Sequence, residues 1–316
     1  MRQQTAGIHH ITAFVSDAQK NVDFYAGVLG LRLVKKTINF DAPDVYHLYF
    51  GNEQGSPGTV ITFFPFPTGR KGTIGGGQVG WTTYAVPVGS LEFWKERLNK
   101  FGISYTMVER FSESYVQFRD VDGLQLELVE REEGPASQWT FGGIPPEKAI
   151  KGFGGALLYS TDPEKTMKTL ENTLGLTKVG EAKGAVRFRS TGNLGNLIDV
   201  SKTQVAPGRN GIGIVHHIAW RAADEADHIR WSAAVKADGF ELTPVKDRNY
   251  FKALYFREQG GILFEIATDP PGFTVDEPEA ELGESLMLPE WYENKRPVLE
   301  QNLVPIVVRV LEQDQM

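Results

Sequence analysis

Short apolar runs, at residues 60–64, 124–129 and 262–267 among others, alternate along the chain with turn-forming glycines and prolines, the pattern of many short strands. Four stretches break from it. Residues 18–29, 91–101, 163–174 and 223–237 space their apolar positions by three and four, as in Val22, Tyr25, Ala26 and Leu29, and predict amphipathic helices. Helices recurring between groups of strands predict an α+β fold.

The recurrence is a duplication. Ile11-Thr-Ala-Phe-Val-Ser-Asp17, a helix and Leu29-Gly-Leu31 line up with Ala156-Leu-Leu-Tyr-Ser-Thr-Asp162, a helix and Leu174-Gly-Leu176. Trp81-Thr-Thr-Tyr-Ala, a helix, Gly102 and Asp122-Gly-Leu-Gln-Leu-Glu-Leu128 likewise match His217-Ile-Ala-Trp-Arg, a helix, Gly239 and Gly260-Gly-Ile-Leu-Phe-Glu-Ile266. Each half holds two units, so the chain reads as four βαβββ modules starting near residues 8, 80, 153 and 214. The expected division is 1–133 for the N-terminal pair, 134–150 for a Gly- and Pro-containing linker, 151–270 for the C-terminal pair and 271–316 for a tail. The end of the tail is open between helix and extended chain.

Composition narrows the chemistry. Lys and Arg (33) are outnumbered by Asp and Glu (40) and are scattered, so no basic stripe awaits nucleic acid or an anionic membrane. The complete lack of Cys removes disulfides, thiolate ligands and Cys nucleophiles. No apolar run reaches membrane-spanning length and the start lacks a signal-peptide core, so a cytoplasmic protein is expected, with self-association left open.

Four of the six histidines form two pairs, His9-His10 and His216-His217, each opening the first strand of a module. A single strand histidine reads as a core residue satisfied by a carbonyl; two pairs in matched contexts read as metal ligands. Strand alternation puts His10 with Thr12 and Phe14, puts His217 with Ala219 and Arg221, and sends His9 and His216 to the opposite face. Glu265 supplies a third group, a carboxylate inside a strand apolar on both faces, where it needs a cation or a partner such as Arg248 or Arg257. Two His and one carboxylate form the facial set of non-haem Fe(II) oxygenases, and the same set also takes Mn or Zn. The duplicated positions carry Gly155, Trp81 and Glu127, so one metal site is expected and the second cup should be empty or structural. A hairpin between residues 251–257 and 262–267 would turn Tyr255 toward the cavity, with Arg248 either on an anionic substrate oxygen or solvating a loop. His47 reads as structural and His228 as a helix surface residue.

Gly7-Ile-His-His-Ile-Thr-Ala-Phe-Val-Ser-Asp17, followed by Phe24-Tyr25 and Leu29-Gly-Leu31, resembles the vicinal oxygen chelate superfamily of glyoxalase I, fosfomycin-resistance proteins and extradiol dioxygenases. Val45-Tyr-His-Leu-Tyr-Phe-Gly51, His216-His-Ile-Ala-Trp220, Phe264-Glu-Ile-Ala-Thr-Asp-Pro270 and Leu286-Met-Leu-Pro289 are similar to the hydroquinone ring-cleaving group within it. The resemblance implies two cupped, barrel-like sheets, with modules one and four sharing the metal cup. It implies Fe(II) on His10, His217 and Glu265, surrounded by His9, Thr12, His216, Arg248 and Tyr255, and a small aromatic diol and O2 as partners. Mainstream catechol dioxygenases draw all three ligands from their C-terminal half, but Gly155 stands where their first His would be. A glyoxalase-type isomerase or lyase, and a metal-free quinone- or drug-binding protein, are the competing readings.

Overall fold

The computed structural model describes residues 3–182 and 184–315. The first module contributes strands β1 (Ile8–Val15), β2 (Arg32–Asn39), β3 (Ala42–Gly51) and β4 (Val60–Pro65). The second gives β5 (Gln78–Val86), β6 (Thr106–Arg110), β7 (Glu113–Arg119) and β8 (Gln125–Glu130). The third gives β9 (Gly152–Tyr159), β10 (Thr177–Ala182), β11 (Ala185–Arg189) and β12 (Leu197–Ser201). The fourth gives β13 (Ile214–Ala222), β14 (Lys246–Asp247), β15 (Phe251–Arg257) and β16 (Leu263–Pro271).

These strands form two eight-stranded sheets, ordered β14-β15-β16-β13-β1-β4-β3-β2 and β10-β11-β12-β9-β5-β8-β7-β6. Modules one and four therefore build one sheet and modules two and three the other, joined within each at the antiparallel pairs β1–β13 and β5–β9. The two halves of the sequence are not the two sheets in space.

The helices of the first, third and fourth modules begin where the sequence supplies a cap. Asp17, Asp162 and Asp224 accept a hydrogen bond from the backbone N–H three residues on, at 2.8, 3.2 and 2.7 Å. The first and third helices then widen into π-helical turns, Ala18–Val22 into Asp23–Val28 and Pro163–Lys168 into Thr169–Thr173. Both stop just before a glycine with positive φ, Gly30 at 69° and Gly175 at 74°, a left-handed conformation that favours glycine. The duplication thus extends to local backbone geometry.

The tail folds back on the first module. Lys35, fully buried on β2, donates to Asp276 and Glu277 at 2.7 Å each, and Met287 N–H bonds the Lys36 carbonyl at 2.9 Å. Beyond it, Arg296–Asn302 and Glu312–Gln315 are helical, with irregular chain between them. One expectation is corrected here. His228 is buried, not on the surface, because its Nε2 reaches inward to the Ile266 carbonyl at 3.0 Å and so ties the fourth helix to β16. Among the described residues no helix is long and apolar enough to cross a membrane.

Candidate metal centre

The pairing of β1 with β13 is interrupted twice. Between Ile8 and His10 the register advances two residues on β1 against one on β13, and between Thr12 and Ala13 the reverse occurs. His9 and His216 are the extra residues. A bulge turns two successive side chains toward the same side of a strand, so the alternation argument that sent His9 and His216 to the far face fails. Instead each lies against its neighbour, with His9 Nδ1 2.9 Å from His10 Nδ1 and His216 Nδ1 2.8 Å from His217 Nδ1.

His10, His217 and Glu265 converge across the seam between the first and fourth modules. His10 Nε2 stands 3.2 Å from His217 Nε2 and 3.4 Å from Glu265 Oε2, and His217 Nε2 stands 2.8 Å from the same oxygen. Ligands about 2.1 Å from one ion, with bonds near right angles, stand about 3 Å apart. All three residues are buried, Glu265 completely, and neither Glu265 oxygen has a hydrogen-bond partner. The alternative partners are engaged elsewhere: Arg248 donates to Asp41 and Arg257 to the Gly261 carbonyl. Among the described residues this is the one group of three or more His or carboxylate side chains arranged to hold a metal.

The hydrogen-bond chain behind the cluster fixes where its hydrogens lie. The Thr268 carbonyl only accepts, so His9, 3.1 Å from it, donates through Nε2 and leaves Nδ1 as an acceptor. His10 must then donate through Nδ1, and as a neutral imidazole it presents an Nε2 lone pair to His217 and Glu265. A lone pair and a carboxylate facing each other in a buried pocket repel unless a cation lies between them. The site residues therefore fit a divalent metal.

Burial also keeps the surrounding imidazoles neutral. His9 is pushed well below the ordinary histidine range by burial and then by His10, and His216 falls to about 3 through burial and the neighbouring His217. Burial likewise lowers His217, against the pull of Glu265. Burial raises the Glu265 carboxyl, and positive charge at the His10 and His217 positions outweighs it and holds the carboxyl well below the usual range. The Tyr255 phenol is pushed up, first by burial and then by the negative charge of Glu265.

The centre opens into a cavity of about 390 Å³ between the two modules. Phe14, Phe64, Phe251 and Leu263 supply apolar walls, and of the expected site residues His216, Arg248 and Tyr255 line it beside His10 and His217. Tyr255 is held there by its register opposite Glu265 in the antiparallel pair β15–β16. His9 and Thr12 are not on the wall; His9 backs His10, and Thr12 Oγ1 bonds Thr62 Oγ1 at 2.7 Å. His47 does line the cavity and sits in a chain, with Tyr49 OH 2.8 Å from its Nδ1 and Thr62 Oγ1 2.8 Å from its Nε2. Sequence reading gave His47 only a structural role and gave Thr62 and Asp41 none. They lie on the β2–β3 hairpin and β4, and the parallel β1–β4 register of Thr12 with Thr62 would have been the signal.

The second sheet shows what becomes of the cup without imidazoles. Its seam carries the same two bulges, now at Gly80 and Gly154. Glu127 keeps the register of Glu265, but Arg110 fills the centre and donates to Glu127 at 2.5 Å and to Asp199 at 2.7 Å. Arg187 adds a second bond to Asp199 at 2.7 Å. Guanidinium charge stands there in place of a metal.

Both halves of the duplicated chain are matched by one family model, over residues 7–128 and 152–275. The chain belongs to the Glyoxalase/Bleomycin resistance protein/Dioxygenase superfamily. It is 58% identical, over 99% of this chain and 100% of the relative, to the "Putative ring-cleaving dioxygenase MhqO" of Bacillus subtilis. It is 36% identical to the chlorohydroquinone/hydroquinone 1,2-dioxygenase of Sphingobium indicum, over 89% of this chain and 90% of the relative. A Bacillus subtilis crystal structure at 58% identity superposes with a TM-score of 0.97, covering 98% of this chain and 100% of that one. Maize glyoxalase I, at 16% identity and a TM-score of 0.62 over 83% of this chain and 92% of its own, shares the fold. By its relatives this member of the superfamily is an enzyme of the ring-cleaving dioxygenase group.

Proposed function

We propose that the enzyme is an Fe(II)-dependent, extradiol-type dioxygenase that opens the ring of a hydroquinone or catechol with O2, using His10, His217 and Glu265 as metal ligands. The observation that supports this most is Glu265, a completely buried carboxylate whose oxygens have no hydrogen-bond partner and face two imidazole Nε2 atoms at the floor of a cavity walled by aromatic rings. Mn or Zn suits the same ligand types; the hydroquinone dioxygenase relative favours a redox-active ion. Held by these residues, such an ion would supply a route for ring electrons to reach O2.

The protein groups divide the remaining work. Phe14, Phe64 and Phe251 enclose the ring and keep water out. His9 holds His10 in the tautomer that frees its Nε2 lone pair. With His217 ligating through Nε2, its Nδ1 hydrogen goes to His216, which then presents an Nε2–H to a diol oxygen. Arg248 places a guanidinium on the cavity wall for negative charge developing on oxygen, and Tyr255, kept protonated, serves as proton donor. Thr12 acts through its hydroxyl pair with Thr62.

Both atoms of O2 stay in a ring-opened acid, and no outside reductant is consumed. The test is purification without oxygen, metal analysis, and an oxygen-electrode assay across a small panel of hydroquinones and catechols. One O2 taken up per diol lost is the expected result. A protein carrying stoichiometric iron that consumes no O2 with any diol, or that forms a thioester from methylglyoxal and a thiol, would overturn the proposal.

A further inference from the structure

The mouth of the cavity is spanned by a carboxylate that ring opening does not require. Asp41 lies at the tip of the hairpin joining β2 to β3, in the first module, and reaches across to the fourth. It accepts from Arg248 Nη2 at 2.8 Å, and its two oxygens accept from Lys246 Nζ at 3.3 and 3.4 Å. Arg248 and Lys246 are the Arg and Lys side chains that line the cavity, and each gives a bond to Asp41.

An ordinary surface ion pair achieves little, because ordering two mobile side chains offsets their attraction. This tip is already ordered. Asn39 Oδ1 accepts from the Asp41 N–H at 2.9 Å, and Tyr292 OH donates to the Phe40 carbonyl at 3.1 Å. The Phe40 ring also packs 5.6 Å from Trp291, so the tail holds the hairpin from behind. Burial pushes the Asp41 carboxyl up, but its bonds to Arg248 and Lys246 outweigh that and hold it below the usual range, so it carries its charge at neutral pH.

We propose that Asp41 is a specificity-determining residue: by engaging both cations of the cavity it turns away aromatic diols that bear a ring carboxylate and leaves the site selective for diols with uncharged substituents. The inference rests on the ring-cleavage reading above. A carboxylate brought in on the ring needs a cation, since Phe14, Phe64, Phe251 and Leu263 offer it none. To gain one it must share Arg248 or Lys246 with Asp41 or displace it, and in either case sit beside a like charge. A methyl group or a halogen meets neither obstacle and lies against the apolar walls.

The test compares hydroquinone with 2,5-dihydroxybenzoate on the full-length, iron-loaded protein and its Asp41→Asn and Asp41→Ala variants, by kcat/KM and by calorimetric binding. The wild type should favour hydroquinone, and both variants should shift the ratio toward the acid by about tenfold, more at low than at high salt, as expected for unmasked cations. Equal treatment of the two diols by the wild type, or a ratio unmoved in both variants, would overturn the role of Asp41. Absence of turnover with either diol, accompanied by the same shift in binding preference, would overturn the ring-cleavage reading and leave Asp41 as the selector. Absence of binding by either diol would overturn both.

Discussion

Glu127 and Glu265 hold the same register on the two sheets, opposite Thr83 and Ala219, and differ in what faces them: Arg110 meets the first, two imidazoles the second. A carboxylate in a dry cup needs positive charge, and the two cups meet that need in different ways. Glu265→Gln should therefore lose bound metal while remaining folded. Glu127→Gln should keep its metal and lose stability, by about 3 kcal/mol, because Arg110 is left with less compensation. Elemental analysis together with thermal melts of both variants separates these outcomes, and metal loss confined to Glu127→Gln would place the metal in the wrong cup.

His9 sits behind the proposed ligand His10, outside the group that would hold the ion, so its removal should have a graded effect. His9→Phe releases the His10 ring to adopt either tautomer and should weaken metal binding roughly 10- to 100-fold. His10→Ala should abolish stoichiometric binding. Competition against a chelator of known affinity measures both.

The Tyr49–His47–Thr62 chain makes a prediction that needs no metal. Tyr49 is buried and its hydroxyl hydrogen has His47 Nδ1 as acceptor, so His47 carries its own hydrogen on Nε2 and donates to Thr62. Nitrogen-15 spectra of histidine-labelled protein should show this tautomer alone in the wild type and a mixture in Tyr49→Phe. A wild-type His47 protonated on Nδ1 would refute the direction of the chain.

Asp120 gives a pH dependence away from the metal. It is buried, accepts from Tyr25 OH at 3.1 Å, and its carboxyl is raised by burial to about 6 from an ordinary 3.8. The folded state therefore binds the extra proton between these values, and stability is lost as pH rises through that window. The difference in unfolding free energy between Asp120→Asn and wild type should grow in favour of the variant by up to about 3 kcal/mol between pH 4 and 7. Denaturant titrations at a series of pH values check it; a constant difference would mean that Asp120 ionises normally.

Legibility in the sequence followed the range of the interactions. The four modules and the candidate ligands His10, His217 and Glu265 could be read because strand runs, helix spacing and paired histidines are local signals that the duplication repeats. The facing of His9 and His216 could not, since a bulge inserts one residue into a strand without any mark in composition, and only the partner strand reveals it. His228 misled for a related reason: it reads as a residue on the polar face of an amphipathic helix, while its imidazole finds a carbonyl on β16. The cation on Glu127 comes from Arg110 and the selector on Arg248 comes from Asp41, contacts set by how hairpins close over a cup and by no spacing along the chain.

The exchange of modules between sheets sets an order of events in the making of the molecule. His10 and His217 are 207 positions apart and meet only when the first module pairs with the last. While the chain is being synthesised His9 and His10 lack the partner strand that carries His217, so the group proposed to hold the metal does not yet exist. The fourth module has to leave the ribosome and dock first. Completion of the proposed centre is in this way tied to completion of the chain, and a product truncated before β16 lacks Glu265.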